Sequence, residues 1–382
     1  MKKTIAVFFG GRSPEHDISI VTAISAVIKP LELSGKYTVV PVYITKTGKW
    51  VSDAKLGSID LFRTGAIDEF ARKATAAQAV FGDSFALQIG RKQVVIDVAF
   101  PAMHGAYGED GSLMGLLRMA GIPFVGSDMD ASVIAMDKVL AKQVAAANTI
   151  ATPQFVFFTR DEITTELSDS AKKASSALAF PLYVKPAHLG SSIGISRVTT
   201  QKELENALEV AAFYDTKIVV EEAVQNLIEV TVPIIGNDVL RPALVERPLT
   251  QDGEFFDFTT KYMNGGKKTG GAKTSGSQGY SELPAELPGT LYDESLDVAK
   301  RVYQSIGASG IARVDLLIDE KQKKVYFNEV NPLPGSLYNH NWRQAGLSPV
   351  ELTEALIAYA EERFATQSDV KTSFDSNFLQ QF

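Results

Sequence analysis

The chain has 382 residues, with 45 Asp and Glu against 38 Lys and Arg and a net charge of −7, a balance unsuited to a general nucleic-acid or anionic-membrane surface. There is no cysteine, so disulfides, thiol nucleophiles and Cys-ligated metals are excluded, and the four histidines (16, 104, 188 and 340) lack paired metal-ligand spacing. The length calls for two or three hydrophobic cores, and with no apolar stretch long enough to span a bilayer a cytoplasmic protein is expected.

The elements follow in chain order. A strand is predicted over 4–9, a Gly-Gly turn, a helix over 15–28 and a second strand over 37–44. The apolar run 94–100 predicts a strand buried on both faces, followed by a helix over 111–120 and a short strand over 122–125. This alternation implies an open, mainly parallel α/β sheet with binding groups at the strand ends. One long helix is predicted over 128–148, capped by Asp130 or Ser132. Strands over 154–158, 182–185 and 217–222 with helices over 170–179 and 201–212 make a second unit. Beyond 229, strands dominate (229–235, 239–245, 254–260, 312–318 and 325–332), interrupted by a helix over 289–306. A last helix over 350–363 precedes a polar tail, 367–382.

Chemistry concentrates on the last two strands. Alternation places Arg313 with Asp315, and Glu329 with Asn331, on one face each. Paired antiparallel, they would gather two carboxylates, an amide and a guanidinium, an oxygen-rich set that a hard cation such as Mg²⁺ accepts. An internal Arg–Asp salt bridge with a solvated strand end reads equally well. The loop Lys185-Pro186-Ala187-His188-Leu189-Gly190-Ser191-Ser192 suits a phosphate nest, or an ordinary hairpin. The Gly-rich segment 264–279, flanked by Lys261-Tyr262 and Tyr280, reads as a lid or a linker. Glu15, at the end of the first strand, is placed to hold an ammonium group or to help cap a helix. His104, among the glycines of Met103-His104-Gly105-Ala106-Tyr107-Gly108-Glu109-Asp110-Gly111, would contact an anionic substrate or serve structure. Glu109 and Asp110 read as charges at a helix start.

In this order, His104-Gly-x-x-Gly-Glu109-Asp110-Gly111, Met136-Asp137-Lys138, Lys185-Pro-x-x-x-Gly-Ser-Ser-x-Gly194, Arg313-x-Asp315 and Glu329-Val-Asn331-Pro-x-Pro-Gly335 resemble a D-alanine–D-alanine ligase of the ATP-grasp superfamily. The resemblance runs from about residue 5 to 363. It implies a three-domain ATP-grasp fold: an N-terminal substrate domain (1–127), a central subdomain (128–222) and a C-terminal subdomain carrying the metal site and lid (223–366). ATP and Mg²⁺ (two ions, with Mn²⁺ as an alternative) are implied, with D-alanine as substrate, a role in peptidoglycan synthesis, and a homodimer. Lys138, Lys185 and Lys261 would bind phosphates beneath Ser191 and Ser192. Glu221 and its neighbour Glu222 would contact adenine, and Glu229 the ribose. Asp315, Glu329 and Asn331 would hold the metal. Glu15 would take the first D-alanine's ammonium, near His104, and join Ser191 and Tyr262 in a hydrogen-bonded network. Arg313 and the Gly335 amide would steady the oxyanion.

One departure stands out. After Pro-Gly the family usually continues with Thr and then a Ser-Leu pair that helps bind the second substrate's carboxylate. Here the chain reads Gly335-Ser336-Leu337-Tyr338-Asn339-His340-Asn341-Trp342-Arg343. The alternative readings are therefore a ligase of the same family with D-serine, D-lactate or another amino acid as acceptor, and a non-catalytic nucleotide sensor. Tyr262 favours an amine acceptor by analogy with the family.

Overall fold

A computed structural model describes residues 2–249, 281–371 and 376–382. The strand expected over 254–260, together with Lys261, Tyr262 and the Gly-rich segment, lies outside the described residues.

The first sheet runs in the order Trp50–Val51, Tyr37–Ile44, Lys3–Gly10, Val98–Pro101, and Lys3–Gly10 pairs parallel with both neighbours. Its pleat sorts its apolar run between two cores: Ile5, Val7 and Phe9 face one, Ala6 and Phe8 the other. The expected strand over 94–100 is two strands, Lys92–Val95 and Val98–Pro101; they separate at Asp97, whose carboxylate accepts from the Thr4 amide at 2.7 Å. Residues 122–125 form only a bridge, Ala99 to Phe124.

The predicted helix over 128–148 is two, Met129–Met136 and Lys138–Ala147. Asp137 breaks it: extended there, it caps the second helix by accepting from the Val139 and Leu140 amides. Asp128, rather than Asp130 or Ser132, caps the first. The second sheet (Ser196–Val198, Leu182–Pro186, Lys217–Glu222, Phe155–Thr159) is wholly antiparallel and packs its own core against helices Leu167–Ala177 and Gln201–Tyr214.

The third sheet is also antiparallel, in the order Arg241–Pro242, Leu227–Gly236, Gly310–Asp319, Lys324–Asn331. Of the strand expected over 239–245, only Arg241–Pro242 pairs. Helices Leu291–Ser305 and Lys138–Ala147 cover one face of this sheet. The final helix runs Pro349–Ser368, two residues into the segment expected as tail, and buries Leu352, Leu356 and Ile357 in the core of the first sheet. No helix among the described residues is long and apolar enough to cross a membrane.

Candidate active site

The three sheets surround a cavity of about 1000 Å³. One wall is the strand pair Gly310–Asp319 and Lys324–Asn331. Its register sets Arg313 opposite Asn331 and Asp315 opposite Glu329, then slips between Asp315 and Leu316. The slip leaves Asn328 as an extra residue. Val325 and Phe327 point into the core, and strict alternation would send Glu329 after them. The bulge reverses the parity, so Glu329 and Asn331 line the cavity and Val330 returns to the core. Arg313 grips Asp315 through two bonds of 2.7 and 2.6 Å, and Asn331 donates to Asp315 at 3.2 Å. The Arg313–Asp315 salt bridge of the one reading is present, and the oxygen atoms invoked by the other share the same wall of the cavity.

Among the described residues no group of three His, Cys, Asp or Glu side chains is assembled for a metal. Two carboxylates and an amide oxygen still fit a hard cation that completes its shell with phosphate oxygens and water. Lys138 approaches Glu329 to 3.2 Å and donates to the Leu189 carbonyl at 2.7 Å, tying the acidic face to the Gly-Ser loop.

Lys185 ion-pairs with Glu221 and donates to Asn328 at 3.3 Å. On the other side of Glu221, Lys142 stands at 2.9 Å, fully buried. Burial alone would raise the Glu221 carboxyl, but Lys142 and Lys185 overcome it and hold the group down at about 2. Lys142 escaped the sequence reading. Its signal was the four-residue spacing from Lys138, which puts both ammoniums on one helix face. Glu222 accepts from the Ala179 amide at 2.8 Å, and Glu229 lines the cavity.

In the Gly190-Ser191-Ser192 loop Ser191 and Ser192 take φ of 56° and 59°, left-handed values that cost a non-glycine residue about 1–2 kcal/mol each. Ser191 donates to Glu15 at 2.5 Å, which closes the loop onto the first domain. Glu15 itself is pushed up, chiefly by burial and then by nearby Glu109. Gly105 is required here: its φ is 71°, and a Cβ would stand 2.5 Å from Ser13 Oγ and 2.9 Å from Glu15 Oε2. His104 is buried against Thr22 Oγ1 at 2.8 Å and Glu109 at 3.8 Å. Burial opposes its charging, yet Glu109 and Glu15 carry it above the ordinary histidine value. Glu109 is thus no mere helix charge: it is buried, and it accepts from the Gly105 amide at 2.7 Å. Asp110 does act at the helix start, accepting from the Ser112 amide.

Among the described residues, the segment after Gly335 carries the longest run of left-handed non-glycine backbone. Ser336, Leu337 and Tyr338 are consecutively left-handed, with φ of 51°, 51° and 56°. Such a run persists only where its surroundings over-determine it. The Ser336 amide donates to Thr22 Oγ1 at 2.9 Å, and Leu337 is fully buried. The Tyr338 hydroxyl meets Thr231 at 3.1 Å, and Arg313 stacks on its ring at 5.3 Å. Beyond the turn, His340 pairs with buried Glu246 at 2.8 Å. Nothing in the sequence marks Glu246, which lies 94 residues earlier and comes close only through the third sheet. Of the predicted residues, Glu15, His104, Lys185, Ser191, Ser192, Glu221, Glu222, Glu229, Arg313, Asp315, Glu329, Asn331 and Gly335 face this cavity, and Lys138 braces it through Glu329.

Residues 4–127 match the family described as D-ala D-ala ligase N-terminus, and residues 144–358 the D-ala D-ala ligase C-terminus. The D-alanine–D-alanine ligase of Chlorobium limicola is 37% identical, covering 95% of this chain and 98% of that protein. That of Acetivibrio thermocellus is 34% identical, covering 95% and 97%. Among solved structures, the VanG D-Ala:D-Ser ligase of Enterococcus faecalis superposes with a TM-score of 0.78 at 29% identity, covering 94% of this chain and all of that one. The D-alanine–D-alanine ligase of Coxiella burnetii gives 0.76 at 25% identity, with 96% of each covered.

Proposed function

The chain belongs to the D-alanine–D-alanine ligase family, and from that premise we propose how its residues divide the work. It is an ADP-forming, ATP-dependent ligase that joins two D-alanines for peptidoglycan synthesis. The observation that carries the reading is the convergence of Lys138, Lys185, Asp315 and Glu329 around one cavity wall.

ATP lies between the second and third sheets, with its phosphates beneath the Ser191–Ser192 loop and against Lys138 and Lys185; Lys261 joins them. Glu221 and Glu222 receive the adenine, and Glu229 the ribose. Asp315, Glu329 and Asn331 hold two Mg²⁺ ions, which offset the charge of the transferring phosphoryl group when bound. Glu15 takes the ammonium of the first D-alanine beside His104, and Tyr262 completes the Glu15–Ser191 network. An oxygen of the first D-alanine's carboxylate attacks the γ-phosphorus, the bond to ADP breaks, and an acyl phosphate forms. The second substrate's amine then loses a proton and attacks the acyl carbon. Arg313 and the Gly335 amide stabilise the tetrahedral oxyanion, and phosphate leaves. Boundaries near 127 and 222 separate the three domains, the third ends near 366, and the enzyme works as a homodimer.

Asp315→Asn tests the core of this reading. ADP release with D-alanine should fall at least about 100-fold, the scale of losing one electrostatic stabiliser, with the fold kept but its melting temperature lowered, because Arg313 loses the charge of its partner. Full activity would remove the metal assignment. Chelation with EDTA should stop turnover and added Mg²⁺ restore it. A panel of D-serine, D-lactate and L-amino acids as second substrate, read by ADP release, separates the acceptors.

A further inference from the structure

We propose that His340, held from behind by Glu246, takes the α-carboxylate of the second, acceptor substrate. The inference rests on the ligase reading above and deepens it, because it requires an acceptor with a free carboxylate.

Three observations converge. The first is the pair itself. His340 Nε2 lies 2.8 and 3.0 Å from the two oxygens of Glu246, and Asn341 donates to the same carboxylate at 3.2 Å. Asn341 is in turn locked to the Leu244 backbone, accepting its N–H at 3.1 Å and donating to its carbonyl at 2.9 Å. Glu246 is 3% exposed; burial works against its charge, but His340, then Ser281 and Asn341, outweigh that and hold its carboxyl below the ordinary value. The carboxylate is therefore committed to holding the ring rather than to binding a ligand.

Placement is the second observation. The His340 side chain is 30% exposed and lines the cavity that Arg313 and Gly335 also line. Its ring sits 4.5 Å from that of Tyr338, the last residue of the left-handed run. Three strained residues anchored by Thr22 and Thr231 form a costly way to place a loop, and an economical one to fix a side chain at a reacting centre. Among the described residues Nδ1 has no hydrogen-bond partner. The groups around the ring are Glu246 and Asn341 behind it, Tyr338 beside it, and Arg343 on the same cavity wall.

The third observation is a precedent within the molecule. His188 bridges two carboxylates, Nδ1 to Asp215 at 2.9 Å and Nε2 to Asp137 at 3.3 Å. An imidazole donating from both nitrogens carries a full positive charge and satisfies two anions. His340 has the first of its two anions in Glu246. An acceptor carboxylate at Nδ1 supplies the second, within the cavity that Arg313 and Gly335 also line.

The experiment compares D-alanine with D-alaninamide, which lacks the carboxylate charge, as second substrate. A charge-assisted hydrogen bond should favour D-alanine by about 10- to 100-fold in kcat/KM in the wild-type chain. In His340→Ala this preference should shrink to within about threefold, through acceptor KM rather than kcat. His340→Gln, which keeps one donor, should fall between. Trapping the acyl phosphate with hydroxylamine, which needs no acceptor, checks the folding of each variant and tests the parent reading. Failure of the wild-type chain to form D-alanyl hydroxamate overturns the ligase assignment, and this inference with it. Hydroxamate formed, but the preference kept in His340→Ala, overturns this inference alone. A fall in kcat with the preference and acceptor KM unchanged does the same, since the ring would then handle a proton and not the carboxylate. Should His340→Ala lose hydroxamate formation, His340→Gln and the wild-type preference decide.

Discussion

Glu221 is a buried carboxylate between two ammoniums, Lys185 on one side and Lys142 at 2.9 Å on the other, and the two cations together offset its burial. On the phosphate role proposed for Lys185, Lys142 would keep Glu221 paired if Lys185 turned to a ligand. Replacing Lys142 by Met strips one partner from a buried charge, a change that typically costs about 3 kcal/mol. The urea midpoint should drop with its slope unchanged, and the KM for ATP should rise. An unaltered midpoint would show that Lys185 suffices. At this scale much was legible in the sequence: lysines, carboxylates and the Gly-Ser loop signal their chemistry by type and spacing. Glu246 was not, since a Glu beside a strand has many ordinary uses, and Lys142 was marked only by its spacing from Lys138.

Elements do the aiming. The extra residue Asn328 turns Glu329 and Asn331 out of the core, so reversing that parity makes a clear prediction. Inserting one alanine between Asn328 and Glu329 flips the alternation once more and drives these two polar groups into the apolar layer around Phe327. Loss of both ADP release and several degrees of melting temperature should follow; retained activity would mean that the bulge does not set the face. The base of the phosphate loop is a second such device. His188 lies between Asp137, the cap of the Lys138–Ala147 helix, and Asp215, with Lys217 also on Asp137. Its hydrogen bonds to Asp137 and Asp215 raise His188 to about 9. Because the folded value lies above the unfolded one near 6.5, the stabilisation is complete below about pH 6.5 and is lost as pH rises through about 9. The melting temperatures of wild type and His188→Gln should therefore differ at pH 6 and converge near pH 10. A gap that persists at pH 10 would sink the assignment. The ring is 41% exposed, so solvent screening keeps the effect small.

The whole molecule is stitched by its last helix. Pro349–Ser368 leaves the third unit and packs into the core of the first. Near its end Arg363 donates to the Gly126 and Phe124 carbonyls and to Ser309 Oγ at 2.6 Å, and stacks on Phe124 at 4.5 Å. It thus joins the end of the first unit to the loop that enters the Gly310–Asp319 strand. Arg363→Ala should cost about 2–3 kcal/mol, because buried carbonyls lose their donors. The change belongs in the unfolding midpoint, with acceptor preference unaltered; no shift would show that the stitch is redundant.

Local alternation and residue type determined the mainly parallel first sheet and the two strand segments that carry Arg313, Asp315, Glu329 and Asn331, while the antiparallel pairing of those two strands stood as a condition and the set of binding motifs came from the family resemblance. The first two follow from spacing within a segment and from residue types whose chemistry is hard to place elsewhere. Only the tertiary structure decided where helix 128–148 breaks, which face Glu329 takes, and which carboxylate stands behind His340. Each depends on partners far along the chain: Lys217 and His188 for Asp137, the slipped register for Glu329, and residues 244–246 for His340 and Asn341. The reason is physical. A local pattern states what a segment prefers, whereas a strained turn or a buried charge persists only when distant groups meet its cost.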